Sequence, residues 1–255
     1  DRFFIGSIIS IAAVAFYTAP YEMVTRLSIL PMSFAMTLFP SFSAVDAAAR
    51  EGMASLYSRS VKFLLILMGP LVVVLILFAG EILHLWLGSQ FAEISTLVMQ
   101  ILAVGILMNS MAQIPYALIQ GFGRPDITAK LHMLELLLYV PLVWFLVKNM
   151  GIVGGALAWT IRVTIDSLLL FVVSSKYINF QVFHDKGLKR CIYAVIILMF
   201  ILFGVFMLNV SIIVRIAITG AAIIVFIFTS WRFILERRER ELIMSTALHF
   251  VSVKK

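Results

Sequence analysis

The chain has 255 residues, of which 62% are hydrophobic and 13% are charged, whereas soluble domains are about 45–50% apolar and 25% charged. So few charged side chains cannot cover the surface of a soluble fold of this length, and a membrane protein is predicted. The net charge of +7 does not indicate nucleic-acid binding, because the basic residues lie at the ends of apolar runs and form no single basic face.

Apolar runs of about 20 residues, the length that crosses a bilayer, recur along the chain. Residues 3–17 come first and are predicted to form a short non-spanning or re-entrant segment, because Pro20 follows closely. Seven spans are predicted after it, near residues 21–45, 61–80, 94–121, 127–147, 152–175, 191–209 and 212–231. The predicted fold class is all-α, a polytopic transmembrane helical bundle over residues 1–235 with a basic cytoplasmic tail over residues 236–255.

The basic residues are unequally divided between alternate loops. Only Lys148 and Arg215 lie in one set of loops, while the other set and the tail hold Arg50, Arg59, Lys62, Arg124, Lys130, Lys176, Lys186, Lys189, Arg190, Arg232, Arg237, Arg238, Arg240, Lys254 and Lys255. Lys and Arg collect in cytoplasmic loops. The asymmetry predicts an outside N-terminus and a cytoplasmic C-terminus. The chain starts at Asp1 without a Met or a signal peptide and is expected to be a fragment.

Ionisable residues inside spans are the candidate functional residues, because charge at membrane depth is costly unless it is paired or faces water. Glu22 and Arg26 are four residues apart, and so are Arg162 and Asp166, which puts each pair on one helical face within reach of an ion pair. Both pairs are candidates for substrate binding. The alternative is that each pair neutralises itself and only fixes helix packing.

Three further polar residues stand out within the spans. Glu135 has no opposite charge four residues away, which favours a protonatable or cation-linked role or a hydrogen bond to a neighbouring helix. Asn109 and Gln113 repeat the four-residue spacing in uncharged form, and a polar stripe of this kind can line a cavity. Both are therefore candidate substrate-binding residues.

No catalytic residue, metal site or cofactor is predicted. The chain contains none of the nucleophile-elbow, phosphate-loop or zinc-protease motifs. Its four histidines, at positions 84, 132, 184 and 249, are far apart and fall on different sides of the predicted topology, so they are not expected to form one metal site. The single cysteine, Cys191, excludes an internal disulfide and a cysteine-based zinc cage.

Four short strings together resemble the C-terminal half of polysaccharide flippases, the O-antigen and oligosaccharide-lipid transporters of the multidrug/oligosaccharidyl-lipid/polysaccharide exporter superfamily. They are residues 17–22 (YTAPYE), 39–43 (FPSFS), 120–126 (QGFGRPD) and 151–158 (GIVGGALA). The resemblance implies one lobe of a two-lobe, alternating-access transporter in the bacterial inner membrane. Its implied partners are a polyprenyl-pyrophosphate-linked oligosaccharide as cargo, membrane lipids and a missing N-terminal lobe.

The resemblance further implies that cationic and polar residues line a cavity between the lobes, which here would match Arg26 and Arg162. An arginine can bind a pyrophosphate through two parallel hydrogen bonds. Two alternatives remain open at this point. One is a cation-coupled multidrug exporter of the same superfamily, which acidic cavity residues would favour. The other is an integral-membrane enzyme acting on a lipid-linked sugar, which usually needs a large outward loop, whereas the one near residues 81–93 is short.

Overall fold

The computed structural model describes residues 1–43, 50–178, 185–207, 210–237, 239–241 and 244. These residues form helices and turns and no strand, so the predicted all-α fold class is confirmed. The chain divides into two compact units, residues 1–182 and 183–255. Unit 1 contains helices α1 Arg2–Ile8, α2 Ile11–Thr25, α3 Ile29–Ser43, α4 Arg50–Leu77, α5 Ala79–Leu87, α6 Ser89–Gly121 and α7 Pro125–Ile178.

The N-terminal helices differ from the sequence prediction in where the chain breaks. The helix is interrupted after α1, and α2 begins at Ile11. Its N-cap residue is Ser10, whose hydroxyl accepts a hydrogen bond from the backbone N–H of Ala13 at 3.1 Å. The helix then continues through Pro20, as membrane helices tolerate. A 3-10 turn at Arg26–Ser28 joins α2 to α3, so that Ile11–Ser43 forms one apolar stretch of 33 residues. The predicted span near residues 21–45 therefore begins ten residues earlier.

Helix α7 is a helical hairpin. Gly151 has φ +62° and ψ −140°, a left-handed conformation that interrupts the helix and that glycine adopts at little cost. The chain reverses there, since Nδ1 of His132 lies 3.7 Å from Oδ1 of Asp166, although a continuous helix would hold these residues about 50 Å apart. The two arms, residues 125–150 and 152–178, match the predicted spans at 127–147 and 152–175.

Small residues let the arms of the hairpin and helix α6 approach closely. Gly154 packs against the backbone of Leu146 on the opposite arm. Gly105 of α6 faces Trp159 and Thr160 on the second arm, and the Thr160 hydroxyl donates to the carbonyl of Ile101 at 3.0 Å. Small side chains and interhelical hydrogen bonds are the usual means of helix association in a bilayer, where hydrophobic burial between helices gains little.

Helix α6 lies at the centre of unit 1. It packs against α2, α3, α4, α5 and the α7 hairpin, and two polar side chains on it hydrogen-bond to neighbouring backbone. Ser95 donates to the carbonyl of Phe16 at 2.7 Å and Gln100 donates to the carbonyl of Ile76 at 2.9 Å. Further along the same helix, Asn109 and Gln113 line a cavity together with residues of the hairpin, where the candidate site lies.

Unit 2 contains α8 Lys186–Met207, α9 Ile212–Thr229 and a π turn at Ser230–Ile234. The predicted spans at 191–209 and 212–231 fall on these helices, except that residues 208 and 209 lie outside the described residues. Most of the predicted tail, residues 236–255, also lies outside them. Its described part includes an exposed ion pair between Arg237 and Glu241 at 3.2 Å.

Six helical stretches within the described residues are long and apolar enough to cross a bilayer. One of them is the 54-residue α7, whose two arms each have the length of a crossing. The structure therefore supports a polytopic membrane protein with about seven spans, as the apolar runs predicted.

Candidate functional site

A polar cavity of about 360 Å³ lies between helix α6 and the α7 hairpin. One face of α6 contributes Asn109, Ala112, Gln113 and Tyr116; the hairpin contributes His132 from its first arm and Arg162, Asp166 and Leu170 from its second. Four of the predicted candidates, Asn109, Gln113, Arg162 and Asp166, thus line one cavity. Polar side chains at membrane depth are favoured where they face such a space.

Arg162 and Asp166 do not pair with each other as their spacing suggested. The Asp166 carboxylate lies 3.7 Å from Nδ1 of His132 on the opposite arm. The Arg162 guanidinium lies 5.5 Å from the centre of the Tyr139 ring, a cation–π contact. Its Nε has no hydrogen-bond partner, and it forms no ion pair with any residue that the structure describes. The Glu135 carboxylate is near enough to Arg162 for an electrostatic interaction, so the cation beside the cavity has a buried acid nearby but forms no direct ion pair with it.

Glu135 lies behind the cavity wall. Its side chain is only 5% exposed, and its Oε2 lies 3.6 Å from Nδ1 of His132. Neither carboxylate oxygen accepts a hydrogen bond from the described part of the chain. One ligand atom each from His132, Glu135 and Asp166 all lie within 4.8 Å of one another. The ring of Tyr116 stacks on that of His132 with 6.4 Å between centroids.

Glu22 and Arg26 are placed apart from this cavity. Glu22 pairs with Arg2 of α1 at 2.5 Å, and not with Arg26. Arg26 begins the 3-10 turn, where its side chain is exposed and has no ion pair within the described ranges. The chain changes from α-helical to 3-10 geometry after Thr25. Side chains four residues apart lie next to each other only within a regular α-helix, so the spacing of Glu22 and Arg26 does not bring them together.

Sequence reasoning missed His132 and Tyr116. His132 is far in sequence from the other three histidines, and its neighbours in the structure are instead two carboxylates, those of Glu135 and Asp166. The signal that could have found it is the glycine-rich segment at residues 151–155, because a reversal at Gly151 brings position 132 to within about one helical turn of the level of position 166 on the other arm. Tyr116 follows Asn109 and Gln113 at helical spacing on the same face of α6.

Comparison with known proteins supports a relationship to polysaccharide export. Residues 1–96 match the model of a family described as polysaccharide biosynthesis protein. A putative O-antigen transporter of Shigella flexneri is 34% identical over 170 residues, which are 67% of this chain and 40% of that protein. A probable low-salt glycan biosynthesis flippase of Haloferax volcanii is 25% identical over 203 residues, 78% of this chain and 43% of that protein.

The chain therefore spans about two fifths of the length of these curated relatives. Both relatives carry names of transporters and neither carries the name of an enzyme. Their names agree with the polysaccharide flippases that the four sequence strings resemble. The resemblance is confirmed: this chain is a multi-pass membrane protein that is similar to a putative O-antigen transporter and a probable glycan flippase.

Proposed function

We propose that this chain forms the C-terminal lobe of a transporter that flips a polyprenyl-pyrophosphate-linked oligosaccharide across the bacterial inner membrane for surface polysaccharide synthesis. The names of the two relatives support the transport of a glycan precursor. Their greater length supports a second lobe that completes the cavity. No covalent chemistry is required, since the cargo only changes sides.

The observation that carries this proposal is the Arg162 guanidinium at the polar cavity, whose Nε has no hydrogen-bond partner among the described residues. A pyrophosphate that leaves water must find compensating positive charge, and a guanidinium offers parallel N–H donors to two phosphate oxygens. The ring of Tyr139 holds the guanidinium from one side, so that less rotational freedom is lost when the anion binds. Arg162 is therefore our first candidate for the pyrophosphate contact.

Asn109 and Gln113 are proposed to contact the sugar. Their side chains line the same cavity one helical turn apart, and an amide can both donate to and accept from hydroxyl groups. Arg26, with Glu22 one turn before it, remains a second proposed contact. Its exposed position outside the cavity suits a group that meets the cargo at an earlier or later stage than Arg162 does.

Glu135 is proposed as the group that couples transport to a cation or proton. It is an acid buried at membrane depth with no hydrogen-bond donor in the described part of unit 1. A buried carboxylate in such surroundings favours a proton or another cation as its counterion. Glu135, and Asp166 at the cavity, also favour the second candidate function, a cation-coupled multidrug exporter. Among the described residues that line the cavity, Ala112 and Leu170 are aliphatic and the others carry polar groups. This lining fits a sugar better than an apolar drug.

The orientation that we propose has an outside N-terminus and a cytoplasmic C-terminus. The concentration of Lys and Arg in alternate loops supports it. The short outward segment near residues 81–93, which the structure folds largely into helix α5, leaves little room for the catalytic loop of a membrane enzyme. The enzyme alternative is therefore the weakest of the three.

The test is complementation in a strain that lacks its own flippase. The complete transporter containing this chain should restore surface polysaccharide, Arg162→Gln should abolish the restoration, and Arg162→Lys should retain part of it because the charge remains but the planar fork is lost. Arg237→Gln is the matched control, since Arg237 is 91% exposed and lies in the tail. Normal restoration by an Arg162→Gln transporter of wild-type abundance would contradict the proposal.

A further inference from the structure

We propose that His132, Glu135 and Asp166 form a binding site for a divalent transition-metal cation of the Zn²⁺ class, which joins the two arms of the α7 hairpin. His132 and Glu135 lie on the first arm and Asp166 on the second. The site borders the polar cavity, through which an ion would enter. This inference concerns binding alone and does not rest on the proposed transport function.

The spacing of the three side chains fits an ion between them. Nδ1 of His132 lies 3.6 Å from Glu135 Oε2 and 3.7 Å from Asp166 Oδ1. Both separations are too long for a good hydrogen bond. Neighbouring ligands of a tetrahedral Zn²⁺, each about 2.0–2.2 Å from the metal, lie roughly 3.4 Å apart. Small movements of the side chains would therefore suffice to bring all three atoms into coordination.

The buried carboxylate of Glu135 is the second, independent indication of a ligand. Its side chain is only 5% exposed, and both of its oxygens are without a hydrogen-bond partner among the described residues. Oδ1 of Asp166, which faces His132, is unpartnered in the same way. Buried carboxylates without donors are costly. A cation placed between them would remove this cost.

The chemistry of the ligands distinguishes among cations. Two carboxylates offer two negative charges, which a divalent ion balances. The imidazole nitrogen favours zinc and its neighbours over Na⁺, Mg²⁺ or Ca²⁺, which prefer oxygen ligands. The guanidinium of Arg162 contacts the Tyr139 ring and interacts with Glu135 electrostatically, but it donates no hydrogen bond to either oxygen of that carboxylate. The carboxylate oxygens therefore stay open to a metal ion.

The surroundings of His132 let an ion reach its ring and limit how that ring turns. The His132 side chain is 48% exposed and lines the cavity, so an ion can reach its ring nitrogen. The stacked ring of Tyr116 restricts how the imidazole turns. With three protein ligands, the fourth position of a tetrahedral ion would be left to water or to a group from the cavity.

The experiment measures Zn²⁺ binding to the purified full-length protein in detergent, by competition with a chelating dye. Wild type should bind with micromolar or tighter affinity, and Glu135→Gln and Asp166→Asn should each weaken binding at least tenfold. The control is His84→Ala, which removes a histidine of helix α5 outside the cluster and should leave the affinity unchanged. Since Glu135→Gln could impair folding, the less buried Asp166 provides the second variant.

A second measurement follows the thermal transition of the protein. Zn²⁺ should raise the wild-type midpoint, because it binds only the folded hairpin, and at the same concentration it should raise that of Asp166→Asn by clearly less. An equal effect of Na⁺ or Mg²⁺ at the same concentration would overturn the choice of metal class. Absence of binding, or binding that Glu135→Gln and Asp166→Asn both leave intact, would overturn the site itself, whatever the outcome of the complementation test.

Discussion

The close packing of the two α7 arms brings His132 next to Asp166. The substitution Gly154→Ala tests this packing. A Cβ atom at position 154 would overlap the carbonyl group of Leu146 and lie 2.9 Å from the backbone nitrogen of Val147. Carbon atoms in normal contact are about 3.5–4.0 Å apart. The obstructing atoms belong to the backbone, so no rotamer change relieves the overlap and the two arms must separate by roughly 1 Å.

Forcing a methyl group into a well-packed contact costs about 1–3 kcal/mol. For a protein of 150–250 residues each kcal/mol lowers the melting temperature by about 2–4 °C, so Gly154→Ala should lower it by about 2–12 °C. The assay is the thermal loss of the monodisperse peak in detergent, followed by size-exclusion chromatography. Separation of the arms should also move Asp166 away from His132 and weaken Zn²⁺ binding.

The matched control is Gly220→Ala in helix α9. No atom lies within 4 Å of a Cβ built at Gly220, and alanine is the better helix former by about 1 kcal/mol. The control variant should therefore melt at or slightly above the wild-type temperature. Equal melting temperatures for Gly154→Ala and Gly220→Ala would refute the close contact between the two arms.

Three further predictions concern topology, completeness and charge pairing. Arg50→Cys and Ser89→Cys, each in a background without other cysteines, should react with an impermeant reagent from opposite sides of the membrane; reaction from the same side contradicts the orientation. The 255-residue chain alone should not restore surface polysaccharide in a flippase-deficient strain, and restoration would contradict the proposal of one lobe. Arg26→Gln should leave protein abundance near normal, because Glu22 pairs with Arg2; a loss of abundance that Glu22→Gln reverses would show that Glu22 depends on Arg26.

The fold could be predicted from the sequence because the bilayer restricts it strongly. A crossing needs a helix of fixed minimum length, so uninterrupted apolar runs reveal the spans. Helix ends were less predictable. Pro20 looked like a break, yet the helix continues through it and breaks instead before the Ser10 cap. Proline weakens a helix but does not end it where neighbouring helices support the backbone.

The members of the cavity could be predicted in part, but their partners could not. The cost of charge and amide groups at membrane depth identified Asn109, Gln113, Arg162 and Asp166. Spacing of four residues then suggested that Arg162 pairs with Asp166, because sequence reveals only neighbours on the same helix. The actual neighbour of Asp166 is His132 on the opposite arm. This contact between the two arms depends on the chain reversal at Gly151.

The central claim is that the Arg162 cavity binds the pyrophosphate of a lipid-linked glycan. Its most direct test is the affinity of the full-length protein in detergent for undecaprenyl pyrophosphate, measured by fluorescence or native mass spectrometry. Wild type and the tail control Arg237→Gln should bind this lipid with equal affinity, and Arg162→Gln should bind it at least tenfold more weakly. For undecaprenol, which lacks the pyrophosphate, wild type and Arg162→Gln should have the same affinity. Equal affinity of wild type and Arg162→Gln for the pyrophosphate lipid would contradict the claim.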